Sequence, residues 1–335
     1  MTETNEKLKK ILCIFTGGTI AMDSETLSEL HSADEILKYV PELQKIADID
    51  FCQIINVDSV EMTPARWVEI AEKIYDEYDN YYGFVVVHGT DTMVYTASAL
   101  SFLLRNLGKP IIFTGSQIPL HSFLASDARN NLINAVRYAQ MDIAEVCIFF
   151  GSVLLRANRA KKVSGVDINA FGSFAQDPLG HIGIKLNIAR DAVTRRNSRP
   201  LLYKDLVTDV FLLKIYPSMP ESVIDILVKH GCKGIVLETF GTGNIPITEN
   251  SLIPAIKRAI DKGITIVVTS QCERGGVEDL YPSSKMLKMA GAIFAQDMTV
   301  EAGLVKLMWV LGNARNPREI RDLMSTPLAN EFSTE

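Results

Sequence analysis

Thr19, Ser59, Thr90 and Asp91 are polar residues that each stand just beyond a short apolar run. Hydroxyls gathered with a carboxylate suit two tasks, holding a polar zwitterion or attacking an electrophilic carbon. A threonine hydroxyl is a weak nucleophile until a neighbouring base takes its proton. His88 is adjacent in sequence, but at a strand end it can equally well hold the loop. A lysine can serve as base when burial lowers its pKa, and Lys161 and Lys162 are the candidates. The local sequence does not say whether Lys162 reaches Thr90; the fold must decide it.

The elements that would position these groups are legible as short runs. Gly83–Val87 reads as a buried parallel strand, and the stretch from Met93 to Leu104 as a helix. Between them lies His88-Gly89-Thr90-Asp91-Thr92, in which Gly89 admits a ligand close to the backbone. Thr90, Asp91 and Thr92 can each cap a helix, but one cap needs one residue. Lys10–Phe15 reads as the first strand and runs into Thr16-Gly17-Gly18-Thr19. That turn lacks the spacing of a dinucleotide fingerprint and the lysine of a P-loop, and taken alone is an ordinary strand end. Phe51 to Asn56 reads as the second strand, followed by Asp58-Ser59. Parallel strands share one carboxyl edge, so Thr19, Ser59, Thr90 and Asp91 can converge although far apart in sequence.

The rest of the first half keeps the same rhythm. Ser32-Ala33-Asp34-Glu35 is a capping box whose helix ends near Val40, before Pro41. Thr63 and Pro64 open a helix with Trp67, Ile70, Ala71, Ile74, Tyr75 and Tyr78 at core spacing. Pro110–Thr114 and Val146–Phe150 read as strands, with a helix from about Ser126 turning Leu132, Val136 and Ala139 inward. This alternation predicts an α/β fold with a doubly wound, mostly parallel sheet in a larger N-terminal domain, residues 1–189. Arg156, Arg159, Lys161 and Lys162 lie in a stretch without periodicity, and Gly165 to Asp191 reads as loop. A linker is expected over 190–209, then a second, smaller α/β domain over 210–335. Its predicted strands are Val210–Ile215, Gly234–Leu237 and Ile264–Val268. Its predicted helices are Ser222–Lys229, ended by Gly231, and one from Thr299 to Leu311, closed by Gly312.

The whole chain excludes several function classes. Its 335 residues carry a net charge of −6 and no long basic run, which argues against nucleic acid as partner. The densest basic stretch, Arg195 to Arg199, reads as solvated linker. Five scattered cysteines without a CxxC pair suggest reduced thiols in a cytosol-like compartment. The polar segment from Met1 to Lys10 is not a signal peptide, and no apolar run is long enough to span a bilayer. Five histidines without ligand spacing give no support for a metal site.

Two stretches, Thr16-Gly17-Gly18-Thr19-Ile20-Ala21 and His88-Gly89-Thr90-Asp91-Thr92, resemble the paired signatures of the bacterial-type L-asparaginases. The resemblance extends over nearly the whole chain, through Gly115-Ser116-Gln117-Ile118-Pro119, Asn158-Arg159 with Lys162, Gly243-Asn244 and Gln271-Cys272. Asp58-Ser59 and Met62-Thr63-Pro64 make the cytoplasmic type I branch the nearest in character. The resemblance implies hydrolysis of the side-chain amide of L-asparagine to L-aspartate and ammonia, without a cofactor, in a cytoplasmic homodimer or homotetramer. It implies Thr19 as the primary nucleophile and Thr90, Asp91 and Lys162 as a second triad. Ser59 would take the α-carboxylate and Asp91 the α-ammonium. Gly18, Asp58, Gly89 and Ser116 would border the substrate, and Asn244 would come from a neighbouring copy.

The chain departs from the family in two places. Many relatives carry a lid tyrosine soon after the first signature, whereas the stretch from Met22 to Leu30 offers only Ser24, Thr26 and Ser28 as hydroxyls. Some type I members have an allosteric asparagine site. At its threonine and arginine positions this chain has Lys161 and Glu238, with Cys272 matching. Glutamine is one methylene longer than asparagine, so weak glutaminase activity is expected. Two other functions compete. One is an ammonia-supplying amidotransferase component, a type that carries an extra N-terminal domain where this chain has about ten residues before its first strand. The other is a non-catalytic amino-acid-binding protein.

Overall fold

The computed structural model describes residues 7–18, 33–120 and 126–334. Thr19, the Met22 to Leu30 stretch and the Ser32 cap lie outside the described residues. The chain divides into two compact units, one of residues up to 173 with 177–202, the other of 174–176 with 203 onward.

The first unit is built on a seven-stranded sheet. From one edge the strands are Gly180–His181, Val153–Arg156, Val146–Phe150, Ile111–Thr114, Gly83–Val87, Lys10–Phe15 and Asp48–Gln53. The five from Val146–Phe150 to Asp48–Gln53 run parallel, and Val153–Arg156 is antiparallel to its neighbours on both sides. The Gly83–Val87 strand is buried throughout, because helices cover both faces of a doubly wound sheet. Val85 and Val87 join Ile11, Cys13, Ile112, Leu132 and Val136 in one core. The helix Met93–Leu103 is buried at every position but Tyr95, so its sequence is apolar all round rather than striped. The second strand begins at Asp48, three residues before the apolar run that betrays it, because it is an edge strand, half-buried along its middle and exposed at both ends.

Chain order fixes where a crevice opens. Lys10–Phe15 is flanked by its successor Asp48–Gln53 on one side and by Gly83–Val87 on the other. The winding direction therefore reverses between Lys10–Phe15 and Gly83–Val87, and connections leave their carboxyl ends in opposite directions. Phe15 lies in register with both Gln53 and Val87, and Val87 with Thr114. The Thr16-Gly17-Gly18 and His88-Gly89-Thr90 turns thus start level with each other at the reversal.

Within the Arg195–Arg199 stretch, Arg196, Asn197 and Arg199 are exposed as expected of a solvated run, but Arg195 is not. Arg195 stacks 3.8 Å from the Tyr82 ring centre and donates to the carbonyls of Met141, Tyr82 and Ala139. Arg199 lies over Tyr75. Planar guanidinium groups pack on aromatic faces, so a basic run beside a tyrosine-rich surface becomes a strap.

The second unit holds a four-stranded parallel sheet in the order Val210–Lys214, Gly234–Thr239, Thr265–Ser270, Ile293–Phe294. The helix Ser222–Lys229 falls where the sequence puts it, with Gly231 at φ +93° beyond its end. The helix Val300–Asn313 runs through Gly312 instead of stopping there. A Cβ at Gly312 would lie 2.3 Å from the Asp205 carbonyl oxygen, so this glycine admits a close backbone crossing. The architecture is the mixed α/β fold with a larger and a smaller parallel sheet that the alternation predicted. Among the described residues no helix is long and apolar enough to cross a membrane.

Candidate active site

Three strand ends meet at the reversal, and glycine is what lets them. A Cβ on Gly18 would lie 2.5 Å from the Gly89 amide nitrogen, and one on Gly89 2.7 Å from the Ser59 Cβ. Gly17 and Gly18 also sit at φ +100° and +91°, which L side chains rarely adopt. Any side chain at Gly18 or Gly89 would push the Thr16–Gly18, His88–Thr90 and Asp58–Ser59 turns apart.

None of the three hydroxyl or carboxyl residues before the Met93–Leu103 helix serves it as a side-chain cap. Thr92 occupies the cap position without a capping bond, and its Oγ1 donates to the Ser59 carbonyl at 2.6 Å. Thr90 Oγ1 donates to Gln117 Oε1 at 3.1 Å. Asp91 Oδ1 accepts from Lys162 Nζ at 2.5 Å. The lysine also donates to Thr90 Oγ1 at 2.9 Å. Thr90, Asp91 and Lys162 are therefore a bonded trio drawn from positions 71 and 72 residues apart.

A short ribbon chooses Lys162 over Lys161. Lys161–Lys162 pairs antiparallel with Phe171–Gly172, in a region that reads as loop by composition. Successive side chains on a strand point to opposite faces, so only one of two adjacent lysines can face Thr90. Lys162 keeps 19% of its side chain exposed and Asp91 keeps 59%, so the carboxylate faces solvent while the amine is largely enclosed.

The remaining candidates are placed as follows. Ser59 is 3% exposed, in the 3-10 turn Ser59–Glu61. Asp58 caps that turn, its Oδ1 accepting from the Val60 amide at 3.1 Å. Ser116 is buried at the end of Ile111–Thr114, and its Oγ has no hydrogen-bond partner among the described residues. Asn244 belongs to the second unit, in a turn where Gly243 has φ +109° and Ser283 Oγ donates to Asn244 Oδ1 at 2.8 Å. His88 is not a base for Thr90. Its Nδ1 lies 2.7 Å from the Gly89 carbonyl oxygen, and burial pushes its pKa down to about 4. It is a neutral ring that holds the turn.

Two residues with a part in the site were not singled out from sequence. Gln117 stands inside the Gly115–Pro119 stretch but shows its bond to Thr90 only in the fold. Asp127 accepts from the amides of Gln117 and Ile118 and from Asn131 Nδ2, and so clamps the loop that carries Gln117. The only sequence signal was an acidic residue at a helix start. Among the described residues, no group of three or more His, Cys, Asp or Glu is arranged to hold a metal ion.

Comparison with known proteins agrees across the whole length. The family described as Asparaginase, N-terminal matches residues 10–194, and the Glutaminase/Asparaginase C-terminal domain matches 209–324. L-asparaginase 1 of Escherichia coli K12 is 37% identical over 336 residues, covering 98% of this chain and 99% of that protein. A component of the glutamyl-tRNA(Gln) amidotransferase of Pyrococcus abyssi is 38% identical over 349 residues, covering 99% of this chain and 79% of that one. The crystal structure of L-asparaginase I from Vibrio cholerae superposes with a TM-score of 0.90 at 35% identity, covering 98% of this chain and all of that one. Two consecutive domain matches and full-length relatives at this identity make the chain a member of the asparaginase family.

Proposed function

We propose that this protein hydrolyses the side-chain amide of L-asparagine to L-aspartate and ammonia by threonine-based chemistry. The observation that carries the reading is the Thr90–Asp91–Lys162 trio at the sheet's winding reversal, with Lys162 Nζ 2.9 Å from Thr90 Oγ1. Family membership supplies the reaction class, and the trio supplies the machinery for moving a hydroxyl proton.

The substrate is a zwitterion, and the site offers a group for each end. Asp91, with more than half of its side chain exposed, can take the α-ammonium while it holds Lys162. Ser59, beside Gly89, takes the α-carboxylate. The side-chain amide then points toward the Thr16–Gly18 and His88–Thr90 turns. Thr19, next in the chain after Gly18, makes the first attack, and the trio manages the proton of Thr90. Attack turns the amide oxygen into an oxyanion, and each backbone N–H aimed at it is worth about 2.7–4 kcal/mol. The amides near Gly17, Gly18 and Thr90 are the donors assigned to it. A neutral Lys162 accepts the Thr90 proton. A charged Lys162, which has three donors and no acceptor, steadies negative charge at the same oxygen.

By resemblance the protein works as a homodimer or homotetramer, with Asn244 of one copy bordering the site of another. One methylene separates asparagine from glutamine, which sets a preference of about 10–200-fold. The test is a coupled ammonia assay with each amino acid at millimolar concentration. Ammonia from asparagine, with a smaller yield from glutamine, is the expected result. Calorimetric binding of asparagine without turnover would establish a binding protein instead and overturn the proposal.

A further inference from the structure

The Thr90 hydroxyl has one proton to give and two lone pairs to receive with. While Lys162 is an ammonium it can only donate, as it does at 2.9 Å, so the Thr90 proton must go elsewhere. It goes to Gln117 Oε1 at 3.1 Å. The orientation of this amide is fixed by its other end, because Gln117 Nε2 donates to the Asp167 carbonyl at 3.3 Å and only the NH2 group can do so. The backbone is fixed too. The Gln117 amide donates to the two oxygens of Asp127 at 3.2 and 3.1 Å, and the Ile118 amide follows at 3.0 Å. Asn131 Nδ2 holds the same buried carboxylate at 3.0 Å. A turn residue pinned by its backbone and by both ends of its side chain is more ordered than a strand end requires.

We propose that Gln117 is a positioning residue of the reaction. By accepting the hydrogen bond of the Thr90 O–H it locks the Thr90 hydroxyl with its lone pairs toward Lys162, and the O–H turns from Gln117 to a neutral Lys162 when that amine takes the proton. The inference rests on the amidohydrolase reading, and Gln117 acts only through Thr90. Its loss therefore lowers kcat and leaves the groups that bind the zwitterion, Ser59 and Asp91, in place.

Steady-state kinetics with asparagine on wild type, Gln117→Met, Gln117→Glu and Gln117→Asn tests this. Methionine keeps the length and removes the acceptor. It should lower kcat about tenfold to a hundredfold, the scale of a reacting group misplaced by about 1 Å. KM should stay within about twofold of wild type, since no binding group is touched. Glutamate keeps an accepting oxygen at the same reach and should restore most of the lost rate. Asparagine draws the amide back by one carbon and should behave as methionine does, and it replaces that variant if methionine prevents folding. A methionine or asparagine variant with wild-type kcat would overturn the proposal. Equal losses in the glutamate and methionine variants would also overturn it, because loop shape and not acceptance of the Thr90 hydrogen bond would then be the cause. A wild-type chain without turnover would overturn the parent reading as well, whereas an active wild type with insensitive variants would overturn the role of Gln117 alone.

Discussion

Thr90→Val separates chemistry from scaffold most sharply. Valine matches the shape of threonine and removes only the oxygen, at a position 8% exposed. Two hydrogen bonds are lost, the one from Lys162 and the one to Gln117. Lys162 keeps Asp91 and Gln117 Nε2 keeps the Asp167 carbonyl, while Gln117 Oε1 loses its donor on a half-buried residue that water can reach. At about 1 kcal/mol net per hydrogen bond, the cost to the fold is about 1–2 kcal/mol. For a domain of this size that lowers Tm by about 2–8 °C. The cost to the reaction is of another order. Removing a group that takes part in proton transfer lowers the rate about 10²–10⁴-fold, or about 2.7–5.4 kcal/mol in the barrier. Because Ser59 and Asp91 remain, the loss should fall on kcat and leave KM nearly unchanged. Thermal melting and ammonia release from asparagine, measured on one preparation, decide the matter. A folded Thr90→Val protein with kcat within about threefold of wild type would refute the reasoning, since general acid–base groups are worth far more. So would a fall in Tm well beyond about 10 °C, which would make Thr90 a structural residue.

Ser59→Ala should act on the other kinetic constant. A hydrogen bond to a charged partner is worth about 1.5–3 kcal/mol, so KM for asparagine should rise about tenfold to a hundredfold; an unchanged KM would remove Ser59 from the carboxylate site. His88 gives a pH signature. Its pKa of about 4 in the fold lies below the ordinary 6.5, so the unfolded chain binds a proton more readily, and the stability held by neutral His88 is present above pH 6.5 and lost as pH falls toward 4. Urea unfolding across that window should show a slope shallower by up to about 1.4 kcal/mol per pH unit in His88→Gln than in wild type, and equal slopes would contradict the assignment. In the second unit, Lys306 and Glu331 form a fully buried pair at 2.5 Å, with Lys306 also donating to the Met324 and Thr326 carbonyls. Lys306→Met leaves the buried carboxylate without the Lys306 cation, held by the Leu328 and Ala329 amides, and should cost about 3–5 kcal/mol in urea unfolding, whereas a change below about 1 kcal/mol would show that the pair does not secure the C-terminal segment.

The fold was legible where its causes are local. Buried parallel strands are short apolar runs, and Lys10–Phe15, Gly83–Val87 and Val146–Phe150 lie where those runs lie. Legibility failed where a partner distant in sequence decides the outcome. The edge strand Asp48–Gln53 opens on acidic residues that only its pairing with Lys10–Phe15 explains. Arg195 reads as solvent-loving until Tyr82 is placed beneath it. Gly312 reads as a helix stop until Asp205 crosses it. The site follows the same division. Its residue types could be read, because hydroxyls after apolar runs are visible in one dimension. Its wiring could not be read from the residues themselves, where family resemblance alone pointed to Lys162, because the choice of Lys162 over Lys161 depends on a two-residue pairing with Phe171–Gly172. Gln117, likewise, looks like any polar turn residue until Asp127 and Asp167 fix it.

The glycines show why motif and geometry nevertheless agree. Gly18 and Gly89 belong to different strand ends, and each is small because the other turn, or Ser59, occupies the space a Cβ would need. Two glycine-bearing turns far apart in sequence are therefore two halves of one contact, made at the point where the sheet reverses its winding. That contact sets the Gly89-Thr90 backbone beside Gly18 and Ser59. It follows that Gly89→Ala, which would set a methyl 2.7 Å from the Ser59 Cβ, should disturb Ser59 and Thr90 together, raising KM and lowering kcat in one step. A Gly89→Ala protein that changed only one of the two constants would mean that the turns are held apart by something other than their backbones.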